Sequence, residues 1–242
     1  MSAAACRLSY ADLAPPCGTL HLRVGGAEAG LRRSGALWLA AERMLVVADL
    51  HFEKGSSYAR RGSLLPPYDT RATLDRLEAE VTALAPRTLV LLGDSFHDRR
   101  AVARLAVDSA MRLTRLALGR TLVWVVGNHD ADGPGPLPGE VAGEVAAAGL
   151  TLRHEPQAGP APGEVSGHLH PCVRVAAAGR AVRRRAFLTD GERLILPAFG
   201  AYAGGLNALD PAFAGLFARP PLAGALGDRR VHPIGWRSLL GE

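Results

Sequence analysis

MLVVADLH, residues 44–51, decides the reading of this chain: five apolar residues run unbroken and then give way to Asp49 and His51. A continuous aliphatic run of this length reads as a buried β-strand. The pattern recurs as TLVLLGD at 88–94 and TLVWVVGNHD at 121–130. In open α/β sheets, ligands bind beyond the carboxyl ends of the strands, which is where Asp49, Asp94 and Asn128 emerge.

Working outward, two amphipathic segments supply the crossovers that parallel strands need. From Asp69 to Ala85, Leu74, Leu77, Val81 and Leu84 recur at helical spacing, with Asp69 or Thr70 as N-cap and Pro86 as stop. From Arg99 to Leu118, Val102, Leu105, Leu113 and Leu116 repeat the pattern, and Gly119 ends it. Upstream, ALWLA at 36–40 and MLVVADL flank Ala41-Glu42-Arg43 and predict a hairpin. Beyond Gly149 come short β-like pieces, TLRH, GEVSGHLH, CVRVAAA, VRRRAFL and RLILPAF, separated by glycine and proline turns. They predict a second sheet, largely antiparallel, packed on the first.

Composition narrows the class. The chain has 242 residues, 48% of them hydrophobic, enough for one domain over residues 1–242. It shows no apolar run of membrane-spanning length and no basic, apolar leader, so the expected location is the cytoplasm, with no membrane partner. Cys6, Cys17 and Cys172 are widely spaced and form no CxxC pair, which suggests neither a disulfide framework nor a structural zinc site. The net charge of +5 permits a polyanion partner. Lys54 is the only lysine, however, and such an arginine skew is what a GC-rich genome produces. Arg60-Arg61, Arg99-Arg100 and Arg183-Arg184-Arg185 are candidate phosphate contacts, bidentate where geometry allows.

The polar clusters carry the chemistry. Asp49 and His51, Asp94, Asn128 and His129, and His168 and His170 in SGHLHP form a set of oxygen and imidazole donors without thiolate. Hydrolysis of a phosphodiester near neutral pH needs an activated water and neutralised phosphoryl oxygens, and two divalent ions meet both needs. A carboxylate reaching both ions is then required, and Asp94 is the candidate. Residues two apart on an extended strand point the same way. Asp49 and His51 can therefore serve one ion, while His168 and His170 divide between the two. Such donors suit manganese, iron, zinc or nickel, and affinity order alone does not choose among them; manganese is the expected ion.

DxH at 49–51, GD at 93–94, GNHD at 127–130 and GHxH at 167–170, in this order, resemble the calcineurin-like metallophosphoesterase superfamily. The resemblance implies an α/β sandwich of two β-sheets flanked by helices (α/β/β/α). It also implies one metal on Asp49, His51, Asp94 and His170, and another on Asp94, Asn128, His154 and His168. His154 enters because it is the lone histidine between GNHD and GHxH. His129 is then the acid for the leaving oxygen, oriented by Asp130. One departure stands out: His97 falls where GDxxDR would place a second aspartate, and we read it as orienting a ligand or His129 rather than as a ligand.

ADLHFEKG, ARRGSLLPPYDT, RHEP, SGHLHP and LPAFGAYAGGLN are also similar to the bacterial ligase-associated DNA damage response endonucleases, the PdeM family. That likeness implies a nuclease in DNA repair, with DNA as substrate and a DNA ligase and a helicase as partners. Arg60, Arg61 and Arg99 are its expected substrate contacts. Segments 58–69 and 196–207, the latter with Phe199 and Tyr202, are candidate substrate loops. Two other readings stay open: a two-metal hydrolase of a cyclic nucleotide or nucleotide pyrophosphate, and a non-catalytic metal-lined scaffold for protein partners. His21 and His232, outside every motif, are expected to be structural or surface residues.

Overall fold

The computed structural model describes residues 18–60, 62, 66, 68–177 and 179–242; Cys6, Cys17 and Arg61 lie outside the described residues. The first sheet runs β1 (Leu20–Val24), β2 (Ala27–Leu31), β3 (Leu37–Leu39), β4 (Met44–Ala48), β5 (Thr88–Leu92), β6 (Thr121–Val125) and β7 (Glu140–Ala142), in sequence order across the sheet. Strands β4 to β7 pair in parallel. The expected hairpin is present, with Leu37 opposite Val46 and Leu39 opposite Met44.

Both faces of β4, β5 and β6 are covered, which is why they read as unbroken apolar runs. Side chains alternate across a strand. Val46, Val90 and Val123 thus enter the core between the two sheets, while Val47, Leu91 and Trp124 enter the core under the helices. Each such aliphatic side chain stabilises the fold by roughly 1.5–3 kcal/mol.

The helices on that outer face are α1 (Lys54–Arg60), α2 (Asp69–Leu84), α3 (Ala101–Arg104) and α4 (Val107–Ala117). The predicted caps of α2 are spent elsewhere. Asp69 Oδ2 accepts from Gly55 N at 3.0 Å and Thr70 Oγ1 from Glu53 N at 2.9 Å, so both tie α2 to α1. The single helix predicted over 99–118 is broken at Leu105 and Ala106, which are extended. The break lets Arg104 reach Asp98 at 2.8 Å and Ser56 Oγ at 3.0 Å, while Arg112 on α4 clamps Asp75 and Glu78 of α2.

The second sheet holds β8 (Glu144–Ala147), β9 (Leu150–Arg153), β10 (Glu164–Ser166), β12 (Arg180–Thr189), β13 (Leu194–Ile195), β14 (Leu222–Leu226) and β15 (Val231–Ile234), with β11 (Cys172–Ala177) paired to β12. It is more mixed than expected, because β10 runs parallel to both β9 and β13. The parallel pairing opens the carboxyl ends of β9 and β10 on one edge, and His154 and His168 follow those ends. The outer face of this sheet is covered by loops and by 3-10 turns at Pro211–Phe213 and Trp236–Ser238. The two-sheet sandwich is as expected, with α-helices over the first sheet and loops and short 3-10 turns over the second. Among the described residues, no helix is long and apolar enough to cross a membrane.

Candidate metal centre

The turns after β4, β5, β6, β9 and β10 meet at one place. There the donor atoms of Asp49, His51 and His170 lie within 4.8 Å of one another, and so do those of Asp94, His154 and His168. In the first group, His51 Nε2 stands 3.2 Å from His170 Nε2, and Asp49 Oδ1 stands 3.3 Å from the same nitrogen. In the second, His154 Nε2 is 3.2 Å from His168 Nδ1, 3.5 Å from Asp94 Oδ1 and 2.8 Å from Asn128 Oδ1. The two groups adjoin, with His154 Nδ1 at 3.7 Å from Asp49 Oδ1.

The donors do not converge by strand alternation. β4 ends at Ala48 and β10 at Ser166, and beyond them Asp49 (φ 55°), His51 (47°), His168 (68°) and His170 (48°) all adopt left-handed backbone. So does Asp94, at φ 45°. Non-glycine residues seldom enter this region, and clusters of them mark functional sites.

Two glycines make the approach between motifs feasible. A Cβ on Gly127 would sit 2.3 Å from Asp94 Oδ1, and one on Gly167 would sit 2.5 Å from Asp49 Oδ2. The same backbone supplies anchors: His129 N donates to Asp94 Oδ1 at 2.9 Å, and His168 N to Asp49 Oδ2 at 3.0 Å.

The residues fit divalent cations. Asp49 Oδ1, His51 Nδ1 and His154 Nδ1 are buried without a hydrogen-bond partner among the described residues, although polar atoms at such depth are normally paired. Burial, reinforced by His170, holds the His51 pKa down at about 2. Burial and His154 also lower that of His168. Both rings are therefore neutral at physiological pH and offer lone pairs, as metal ligation requires. Glu155, beside His154, accepts a short hydrogen bond from Asn128 Nδ2, which turns the amide oxygen toward the histidines. The RHEP segment carried that residue, but spacing alone did not single it out.

His129 is half exposed, with Nε2 3.8 Å from Asp94 Oδ2. Asp130 does not orient it, contrary to expectation. The Asp130 carboxylate is buried and accepts from Ser95 N (2.6 Å), Phe96 N (3.2 Å) and Gly127 N (2.8 Å), tying the turns after β5 and β6 together. Three backbone donors outcompete one solvent-facing imidazole. The partner of His129 Nδ1 is the His97 carbonyl, at 2.9 Å. The His97 ring stacks on His129 with centroids 5.7 Å apart and lies 5.9 Å from Tyr58.

Beyond Tyr58 lies a pocket of about 490 Å³ lined by Ser57, Arg60, Asp98, Arg99, Arg100 and Arg104. It unites two of the three predicted substrate arginines with Arg100. The 196–207 segment is less available to substrate than predicted. Phe199 is fully buried in the helix-side core, and the Tyr202 hydroxyl donates to Pro66 O at 2.9 Å. His21 and His232 are exposed, as expected, and Cys172 is buried.

A family model described as calcineurin-like phosphoesterase matches residues 42–176. Among solved structures, the chain is similar to Pseudomonas putida nuclease MPE, with 29% sequence identity and a TM-score of 0.68, over 89% of this chain and 100% of that one. It is also similar to Yfce, a phosphoesterase from E. coli, with 18% identity and a TM-score of 0.40, over 79% of this chain and 98% of that one. A search of the curated proteins finds no match.

Proposed function

The chain belongs to the calcineurin-like phosphoesterase family, and from that premise we propose that it is a two-metal phosphodiesterase cutting DNA. The observation that carries this reading is the pair of adjoining donor groups on Asp49, His51 and His170 and on Asp94, His154 and His168. One ion is assigned to Asp49, His51, Asp94 and His170, the other to Asp94, Asn128, His154 and His168. Divalent cations held there neutralise phosphoryl oxygens and acidify water. Manganese is the proposed native metal, which elemental analysis of protein purified without added metal or chelator would test.

The chain's own residues handle the proton. In the proposed acid form, the His129 Nδ1–H donates to the His97 carbonyl, leaving the Nε2–H as the proton presented to the leaving oxygen. Asp94 Oδ2 lies 3.8 Å from that nitrogen. Asp130 acts at one remove, by holding the turn from which His129 projects.

DNA is favoured as substrate over a cyclic nucleotide because Arg60, Arg99, Arg100 and Arg104 line one pocket, and a cluster of guanidinium groups suits a polyanionic strand. The similar Pseudomonas putida protein is a nuclease. A role in bacterial DNA repair with a ligase and a helicase, a cytoplasmic location and a single domain over 1–242 complete the proposal; these rest on the sequence resemblance and composition. The test is a salt titration of single-stranded DNA binding. Each neutralised phosphate contributes about 0.7 to the log–log slope, so Arg60→Ala/Arg99→Ala/Arg100→Ala should flatten it while a small chromogenic diester is still cleaved. Weak, salt-insensitive binding by the unmodified protein would favour the small-substrate hydrolase.

A further inference from the structure

A second basic pocket, of about 470 Å³, shares no lining residue with the first. Arg33, Arg76, Arg183, Arg184 and Arg185 line it, with Asp228 as its one acidic side chain. Part of this charge has a structural use. Arg76 donates to Phe199 O at 2.5 Å, and Arg185 donates to Ala198 O and Ala201 O, each at 2.9 Å. Arg183 pairs with Glu242 at 3.6 Å. Carbonyls satisfy donors but do not cancel a net charge.

Among the described residues, no carboxylate lies within ion-pair distance of Arg33, Arg76, Arg184 or Arg185. Arg76 Nε is buried with no acceptor among the described residues. Burial and the neighbouring Arg185 lower the Arg76 pKa to about 10, the response of a cation drawn from water beside a like charge. Leaving a cation such as Arg76 in that setting without a counter-charge is costly, and the Phe199 ring 4.6 Å from its guanidinium offsets only part of the cost. A multivalent oxyanion supplies both the charge and the acceptors, and guanidinium groups suit it through paired contacts.

We propose that the pocket between Arg33, Arg76, Arg184 and Arg185 is a phosphate-binding site separate from the metal centre, filled by a phosphate of a nucleic-acid strand or by free phosphate. Its occupant would be coupled to the centre. The carbonyls of Ala198 and Phe199 face the arginines, while Phe199 N and Gly200 N donate to Ala48 O and Asp49 O at 2.8 and 3.1 Å. One loop thus bonds the pocket on one side and the first metal-donor turn on the other.

The test is calorimetric titration of the full chain with inorganic phosphate, repeated in an Asp94→Asn background so that binding at the metal centre is recognised separately. Arg33→Ala/Arg184→Ala changes only exposed arms and should weaken binding at the non-metal site at least about tenfold, as expected for losing two charge-assisted contacts. Arg33→Lys/Arg184→Lys should restore only part of it, since an ammonium keeps the charge but not the paired contacts. A parallel salt titration with a single-stranded dodecamer assigns the source: a slope reduced by about 0.7 in the alanine variant indicates strand phosphate, and an unchanged slope indicates free phosphate. Wild-type phosphate affinity in the alanine variant overturns the proposal. Because the readout is binding rather than turnover, a failure of the nuclease reading leaves this result standing.

Discussion

Substituting Gly127 by alanine probes how closely the second and third motifs fit. The added Cβ would lie 2.3 Å from Asp94 Oδ1 and 2.4 Å from Asp94 N, where ordinary contact begins at 3.4 Å. One partner must therefore retreat by about 1 Å, and neither is free to do so alone. Asp94 Oδ1 is held by His129 N, and Gly127 N is held by Asp130, which also grips Ser95 and Phe96. Overpacking against fixed backbone costs about 1–3 kcal/mol of stability. Misplacing a catalytic group by about 1 Å costs on the order of 10²-fold in rate. We expect Gly127→Ala to lose roughly that much turnover of bis(4-nitrophenyl) phosphate with Mn²⁺, to bind less metal by elemental analysis, and to unfold at lower urea. Gly143→Ala is the control, since nothing lies within 4 Å of its added Cβ. Two bound metals and wild-type turnover in Gly127→Ala would refute the reasoning.

Asp94→Asn should reduce the content of both metals, because a weakened shared carboxylate leaves two cations less screened from each other; unchanged stoichiometry would remove Asp94 from the bridging position. His129→Ala should keep its metals and lose about 10²–10⁴-fold in turnover of a nucleic acid. Its loss on a nitrophenyl ester should be smaller, since that group leaves without a proton, and an equal loss on both would assign His129 to positioning. Acid should destabilise the metal-free protein in a defined direction. The folded His51 pKa is about 2 against 6.5 for an ordinary histidine, so the unfolded chain binds the extra proton as pH falls below 6.5. From that group alone, stability should decline with a slope approaching about 1.4 kcal/mol per pH unit, a decline that His51→Asn should diminish in urea melts at pH 4–7.

Much of this was legible in the one-dimensional chain because burial on both faces writes itself as unbroken aliphatic runs. MLVVA, TLVLL and TLVWV were readable as strands for that reason, and the polar residues ending them as candidate donors. Pairing direction was less legible. β9 and β10 are only four and three residues long, and nothing local distinguishes parallel from antiparallel partners. The hairpin of β1 and β2 has a usable signal, the Gly25-Gly26 turn between short strands, that the reading passed over. The break between α3 and α4 has no glycine or proline to announce it and follows instead from Arg104 reaching Asp98. Asp130 misled because its place in GNHD suggests a histidine partner, whereas its actual partners are backbone amides, two of them remote in sequence.

The left-handed backbone at Asp49, His51, Asp94, His168 and His170 sets heat resistance against usefulness. An L-residue held there gives up roughly 1–2 kcal/mol, and five such positions together rival the whole net stability of a small domain. Glycine would relieve that strain at any of them and would delete a candidate metal donor in the same step. A library of variants screened for thermal survival alone would therefore drift toward glycine at these five positions and return sturdy, inert proteins. Improving this chain requires stabilising it elsewhere while keeping the five positions uncomfortable.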